Sequence, residues 1–96
     1  MVFNIIHGTP GEDGLIQKYF DGINMPYTGP NANNAKITFN KNECIDFAKN
    51  LGLSCAKSIF ISNNQIFNFE VFNKMKFPLF VKTNNSGSSF GVTKVN

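Results

Sequence analysis

The sequence predicts a mixed fold that begins as an α/β unit and ends as a small α+β unit. A short β-branched run, Val2–Ile6, is followed by a glycine-rich loop and a helix-spaced apolar pattern. Near the C-terminus, two apolar runs flank the polar loop Asn84–Ser89, which is typical of an antiparallel hairpin. The first strand has no parallel partner within the chain. Two partial domains therefore describe the chain better than one complete domain.

Length and composition restrict the classes of function. A chain of 96 residues forms at most one small domain or parts of two. The net charge of +3 is mild and its basic residues are scattered, which argues against a nucleic-acid partner but suits anionic ligands such as nucleotides. Because we find no signal peptide and no apolar run long enough to span a bilayer, we expect no membrane association and a cytoplasmic location.

The cysteines and the single histidine do not form a recognisable metal motif. Cys44 and Cys55 are not part of a CxxC pair, and His7 is the only histidine. A zinc site would need more ligands than these. We therefore expect no metal site in this chain and two buried thiols in a reducing compartment.

The sequence predicts that the first unit consists of a strand, a loop and a helix. Val2–Ile6 suits a buried parallel strand, and His7–Gly14 contains the glycines and proline of a loop. Asp13 is the expected N-cap of the following helix. The residues spaced to form one apolar helix face are Leu15, Ile16, Tyr19, Phe20 and Ile23.

The middle of the chain predicts turns and then a capped helix. Asn24–Asn34 is rich in turn-forming residues. Asn40 followed by Glu43 resembles a capping box, and Gly52 suits the position after the helix end. The expected apolar face comprises Phe39, Ile45, Phe47, Ala48 and Leu51.

Further along, the pattern predicts one strand, a short helix and the hairpin. Ser54–Ser62 alternates as a strand does. Phe69, Phe72 and Met75 indicate a short helix that ends before Pro78. The hairpin strands are predicted at Leu79–Thr83 and Phe90–Val95.

Two loops carry the candidate chemistry. The N–H groups and hydroxyls of Gly87, Ser88 and Ser89, with Lys82 at the loop entrance, can hold a phosphate. The loop is not a Walker A motif, and judged alone an ordinary polar hairpin turn is the favoured interpretation. The loop after the first strand can present His7 and Glu12 to a polar ligand, although a lone histidine is more often structural or solvated.

Four blocks in this order and spacing resemble the D-alanine–D-alanine ligases of the ATP-grasp superfamily. They are HGTPGEDGLIQ from His7, YTGP from Tyr27, the pair Asn40-Lys41 opening a helix, and FPLFVK followed by GSSFGVTKV. The resemblance covers essentially the whole chain. It implies that residues 1–36 are the C-terminal part of the ligase N-terminal α/β domain. It also implies that residues 37–96 begin the ATP-grasp domain, including the phosphate lid loop.

The resemblance also implies a reaction and a set of site residues. Such enzymes use ATP and Mg²⁺ (or Mn²⁺) to phosphorylate the carboxylate of one D-alanine. The amine of a second D-alanine attacks the acyl phosphate, giving a dipeptide for peptidoglycan precursors. Lys41, Lys82, Gly87, Ser88 and Ser89 match ATP-binding positions, and Ser88 also matches the serine of the network that orders the active site. The residues matching positions beside the D-alanine pocket are His7 and Glu12.

The chain departs from the family pattern in sequence and in extent. Lys18 stands where a small residue is expected, Thr83 where proline usually follows the lysine, and Ser86 where glycine or glutamate is usual. The family's early glutamate, phosphoryl-contacting arginine and acidic metal ligands have no match here. We therefore expect a fragment or truncated product that is inactive alone, and a homodimer when complete. Two alternatives stay open: an ATP-grasp ligase with other substrates, and a non-catalytic remnant or anion-binding module.

Overall fold

The computed structural model describes residues 1–63 and 69–96. Its elements are the helices α1 (Leu15–Gly22), α2 (Ala32–Phe39) and α3 (Lys41–Asn50), a 3-10 helix (Phe69–Lys74), and the strands β1 (Leu79–Val81) and β2 (Thr93–Val95). The radius of gyration is 16.4 Å, whereas a compact domain of this length has a radius of roughly 12–13 Å. The chain is therefore extended, with principal dimensions of 50 × 28 × 24 Å.

The N-terminal run does not form the predicted buried parallel strand. Val2 makes only an isolated parallel bridge with Tyr27. Phe3 and Ile5 are 75% and 74% exposed. A buried parallel strand needs partners along its edges and helices over its faces. Among the described residues Val2–Ile6 has neither beyond this one bridge, so the prediction of a buried strand is wrong for this chain.

Helix α1 is present as predicted, but the face it buries is different. Of the predicted apolar face, Leu15 and Tyr19 are more than half exposed, whereas Gln17 is only 2% exposed. The N-cap is Gly14 and not Asp13, although the Asp13 carboxylate accepts the N–H of Leu15 at 3.1 Å. The fully buried residue of α1 is therefore the polar Gln17, which lies outside the predicted apolar face, while Ile16 and Phe20 of that face are half-buried.

Helix α2 lies partly in the segment that we predicted as turns. Asn31 caps it, since its side chain accepts the N–H of Asn34 at 2.8 Å. Ala35, in the middle of α2, is 1% exposed and is the one described hydrophobic residue that is fully buried. The asparagines that favour turns also favour helix caps, which is why the sequence pattern was ambiguous here.

Helix α3 begins where the sequence predicted. The Asn40 side chain accepts the N–H of Glu43 at 3.0 Å and donates to the Glu43 carboxylate at 3.1 Å. Gly52 follows the helix end with φ of 78°. The expected apolar face is only partly covered, because Phe47 and Leu51 are 53% and 64% exposed.

The C-terminal part contains the predicted hairpin in shorter form. β1 and β2 pair antiparallel, with Leu79 opposite Val95 and Val81 opposite Thr93. The predicted short helix is the 3-10 helix. The described structure places no strand at Ser54–Ser62, so that prediction is wrong. An alternating pattern forms a strand only when a neighbouring strand accepts its backbone hydrogen bonds.

The buried part of the molecule is small. Besides Gln17 and Ala35, only Gly11 and Gly14 are fully buried among the described residues. The cysteines are free and half-buried, not fully buried as predicted. Within residues 1–63 and 69–96, no helix has the length and apolar character needed to cross a membrane.

Candidate functional site

The loop after β1 is fastened to the start of α3. The Lys41 N–H donates to the Asn84 carbonyl at 3.2 Å, and the Asn42 N–H donates to the Asn84 side-chain oxygen at 2.9 Å. The Asn84 amide in turn donates to Asn40 Oδ1 at 3.0 Å. These bonds bring together two segments that are far apart in the sequence. The first N–H groups of α3 are consequently satisfied by the protein itself and are not free to bind an anion.

The Lys41 ammonium lies against the same loop. Its Nζ donates to the Ser86 carbonyl at 2.7 Å and lies 3.3 Å from the Asn84 carbonyl and 3.4 Å from Ser86 Oγ. The Lys41 side chain is half-buried. A predicted phosphate-binding lysine therefore contacts the predicted phosphate-binding loop directly, and its positive charge lies at the base of that loop.

The remaining part of the loop carries unpaired donors. Ser88 and Ser89 have φ of 51° and 58°. In the part of the chain that the structure describes, the N–H groups of Gly87, Ser88 and Ser89 donate to no protein acceptor. Consecutive N–H groups in such left-handed conformations form a concavity that favours anions.

A glycine at position 87 permits both an unusual φ and the close approach of another group. The left-handed residues of the loop are Ser88 and Ser89, so the structure uses only the close approach. A Cβ at Gly87 would lie 3.0 Å from Glu12 Oε2. The glycine therefore permits close approach of Glu12, and the two predicted site loops meet at this point.

Internal hydrogen bonds hold the loop that bears Glu12. The Glu12 carboxylate accepts the Gly8 N–H at 2.6 Å, and the Gly8 carbonyl accepts the Glu12 N–H at 2.8 Å. The Gly11 carbonyl accepts the Gln17 side-chain amide at 2.7 Å and the Asn4 side-chain amide at 3.0 Å. These contacts fix the carboxylate of Glu12 relative to helix α1.

The other predicted site residues are not drawn into this cluster. His7 and Lys82 are exposed, and within the described residues neither side chain makes a hydrogen bond. The Lys82 ammonium lies 6.0 Å from the centre of the Phe80 ring, at the limit of a cation–π contact. The structure thus joins Glu12, Lys41 and Gly87, and leaves His7 and Lys82 facing solvent.

Sequence reasoning missed the residues that hold these loops. Asn84 and Ser86 form the base of the predicted phosphate-binding loop, and Asn4 and Gln17 support the loop of Glu12. The paired asparagines at the start of the loop were a signal, since asparagine side chains commonly bond nearby backbone groups. The sequence offered no comparable signal for Gln17.

The tyrosine beside α1, Tyr27, has a raised pKa. The Tyr27 hydroxyl donates to the Asp21 carboxylate at 3.0 Å. Partial removal from water, and secondarily the bond to the anionic Asp21, raise the pKa of Tyr27 above its usual value of 10.0. Among the described residues no group of three or more histidine, cysteine, aspartate or glutamate side chains is placed to hold a metal ion.

Comparison with known proteins shows which family the chain resembles. The family model for the D-ala D-ala ligase C-terminus matches residues 47–96. The D-alanine–D-alanine ligase of Azobacteroides pseudotrichonymphae is 50% identical over 93 residues, covering 95% of this chain and 29% of that protein. The ligase of Christiangramia forsetii is 45% identical over 95 residues, covering 98% of this chain and 29% of its own length.

Solved structures agree with the sequence relatives. The D-alanine–D-alanine ligase of Bacillus anthracis superposes with a TM-score of 0.86 at 34% identity, covering 94% of this chain and 30% of that one. The same enzyme in complex with ATP gives a TM-score of 0.83 at 31% identity over the same shares. The chain spans about 29% of the length of the curated relatives it matches. In both sequence and fold, it belongs to the D-alanine–D-alanine ligase family.

Proposed function

We propose that the loop Asn84–Ser89 binds the phosphates of ATP, and that the chain acts within a longer enzyme that joins two D-alanines to D-alanyl-D-alanine. The observation that carries the proposal is the set of unpaired N–H groups at Gly87, Ser88 and Ser89 next to the Lys41 ammonium. Donors that are already oriented bind phosphate oxygens without a further ordering cost. The names of the relatives support D-alanine as the substrate, and the ATP complex of the Bacillus anthracis enzyme supports the nucleotide.

The site residues have distinct roles in this proposal. Lys41 and Lys82 supply positive charge near the phosphates, and the hydroxyls of Ser88 and Ser89 add donors. Ser88 also takes part in ordering the active site. His7 and Glu12 lie on the D-alanine side. Positioning and charge neutralisation provide most of the catalysis in phosphoryl transfer, so these residues act chiefly by placing the reacting groups.

The divalent cation is the remaining component of the proposed reaction. The described residues offer no carboxylate cluster that fits Mg²⁺ or Mn²⁺. We therefore place the metal ligands outside the chain, and we place the complete enzyme in the cytoplasm as a homodimer.

ATP binding is tested with a matched pair of lysine variants. Lys82→Met removes the charge at the loop entrance, whereas Lys94→Met removes an exposed charge from β2 of the same hairpin. By calorimetry, we expect Lys82→Met to weaken ATP binding about tenfold, as for the loss of one charged hydrogen bond, while Lys94→Met changes it little. Equal affinities in the two variants would contradict the assignment of Lys82.

The ligase activity is tested by grafting. The matched segment of the Azobacteroides pseudotrichonymphae ligase is replaced by this chain, and D-alanyl-D-alanine formation is measured. We expect an active chimera whose activity is lost on Lys82→Ala. A folded chimera that binds ATP but forms no dipeptide would favour the alternative of an anion-binding module.

A further inference from the structure

The base of the phosphate-binding loop is closed by two hydroxyl groups. The hydroxyls of Thr83 and Ser86 are hydrogen-bonded to each other. Ser86 Oγ lies 3.2 Å from the Phe90 carbonyl oxygen and Thr83 Oγ1 lies 3.3 Å from it. We propose that this hydroxyl clasp, formed by Thr83, Ser86 and the Phe90 carbonyl, positions Gly87–Ser89 for anion binding. Its link to anions rests on the proposed function, but the clasp itself does not.

Counting protons limits the directions of the bonds in the clasp. Two hydroxyl protons serve three contacts, so one contact lacks a donated proton. The Lys41 ammonium can only donate, and it lies 3.4 Å from Ser86 Oγ, which accepts. Either hydroxyl can donate to the other, and the hydroxyl that accepts then donates its own proton to the Phe90 carbonyl. Both hydroxyls are needed to close the clasp.

Two residues of the clasp lie on either side of the left-handed segment Ser88–Ser89. Ser88 and Ser89 are left-handed, a conformation that residues with a Cβ adopt only when the surroundings enforce it. Ser86 and Phe90 flank this segment directly, and the Phe90 N–H donates to the Gly87 carbonyl at 3.1 Å. Tying residue 86 to residue 90 fixes the ends of the turn and so restrains the backbone that carries the N–H groups between them.

The methyl group of Thr83 has a separate contact. A Cβ at Gly91 would lie 2.8 Å from Thr83 Cγ2, so the methyl packs closely against the backbone of Gly91. Thr83→Val keeps this methyl and removes only the hydroxyl. Thr83→Ser keeps the hydroxyl and removes only the methyl. The two variants therefore separate packing from hydrogen bonding at one position.

The test uses the 96-residue chain with two readouts: amide hydrogen exchange at Phe90, whose N–H closes the turn by donating to the Gly87 carbonyl, and affinity for tripolyphosphate. We expect Thr83→Val to speed exchange at Phe90 and to weaken tripolyphosphate binding, each about fivefold, as for one lost hydrogen bond. Thr83→Ser should retain wild-type values. Thr93→Val is the matched control, since Thr93 is exposed in β2 and its hydroxyl makes no hydrogen bond among the described residues.

The outcomes separate the clasp from the proposed function. Thr83→Val values equal to those of Thr93→Val would overturn the clasp. Wild-type chain that binds no tripolyphosphate would overturn anion binding, while the exchange data would still decide the clasp. If Thr83→Val also speeds exchange at Val81, the hairpin itself has loosened. Ser86→Ala, which leaves the strand end unchanged, then decides by the same exchange measurement.

Discussion

The contact between α1 and α2 depends on a glycine that admits no side chain. Gly14 has φ of 90°, and a Cβ built on it would lie 2.3 Å from the Ala32 carbonyl oxygen. The neighbouring atom belongs to the backbone, so it cannot move aside as a flexible side chain can. We predict that Gly14→Ala separates the two helices and displaces the loop that carries Glu12.

The magnitude follows from two independent terms. A residue with a Cβ in the left-handed region costs roughly 1–2 kcal/mol. Forcing extra volume into a close contact costs roughly 1–3 kcal/mol more. Gly52→Ala is the matched control, because Gly52 has φ of 78° and nothing within 4 Å of an added Cβ. The control experiences only the first term, so the difference between the two variants measures the clash.

The assay is urea denaturation of the 96-residue chain, monitored by far-ultraviolet circular dichroism. Gly14→Ala should reduce the free energy of unfolding by about 1–3 kcal/mol more than Gly52→Ala does. If the chain is only marginally stable, Gly14→Ala should instead lose the helical signal in buffer while Gly52→Ala keeps it. Equal effects of the two substitutions would refute the inferred packing of Gly14 against α2.

Three further predictions concern capping, titration and independent activity. Asn40→Ala removes both the side chain that caps α3 and the hydrogen bond from Asn84 to that side chain. It should lower the free energy of unfolding by about 1–2 kcal/mol. It should also speed amide exchange at Asn42, which the control Asn31→Ala should not do. Tyr27 should ionise above pH 10, because its pKa is raised on folding. The stability that this shift contributes should be present below pH 10 and lost above it. Absorbance at 295 nm of the wild type and of Tyr27→Phe measures the ionisation, and a Tyr27 transition at or below pH 10 would contradict the prediction. The 96-residue chain alone should release no phosphate from ATP and D-alanine above a Lys82→Ala control, and turnover above that control would disprove this statement.

Features determined by short-range interactions could be predicted from the sequence. The cap at Asn40 and the turn at Gly52 each depend on contacts within a few residues. The hairpin strands were predicted correctly in position but too long. Local side-chain chemistry fixes these features whatever the rest of the protein does, so a pattern of residue types is enough to find them.

Features that depend on distant partners could not be predicted in the same way. Val2–Ile6 and Ser54–Ser62 have strand-like patterns, but a strand exists only where another strand pairs with it. Gln17 is buried because its amide bonds the Gly11 carbonyl, which is a property of loop geometry and not of residue polarity. The same holds for the predicted phosphate-binding loop, Asn84–Ser89. Its glycine could be recognised, but the contact of Gly87 with Glu12 appears only once the chain is folded.

The distribution of exposed side chains explains why the site can be organised in a chain with so little core. Leu15, Tyr19 and Phe47 are each more than half exposed, so hydrophobic burial contributes little to holding α1 and α3. Each site loop is instead held by its own directional contacts: those of Asn84 with α3, and those of Gly11 with Asn4 and Gln17. Hydrogen bonds fix orientation even where they add little net stability. The geometry of the loop Asn84–Ser89 therefore depends on a few hydrogen bonds to a distant part of the chain, whereas the stability of the segment depends on apolar surfaces that the described residues do not cover.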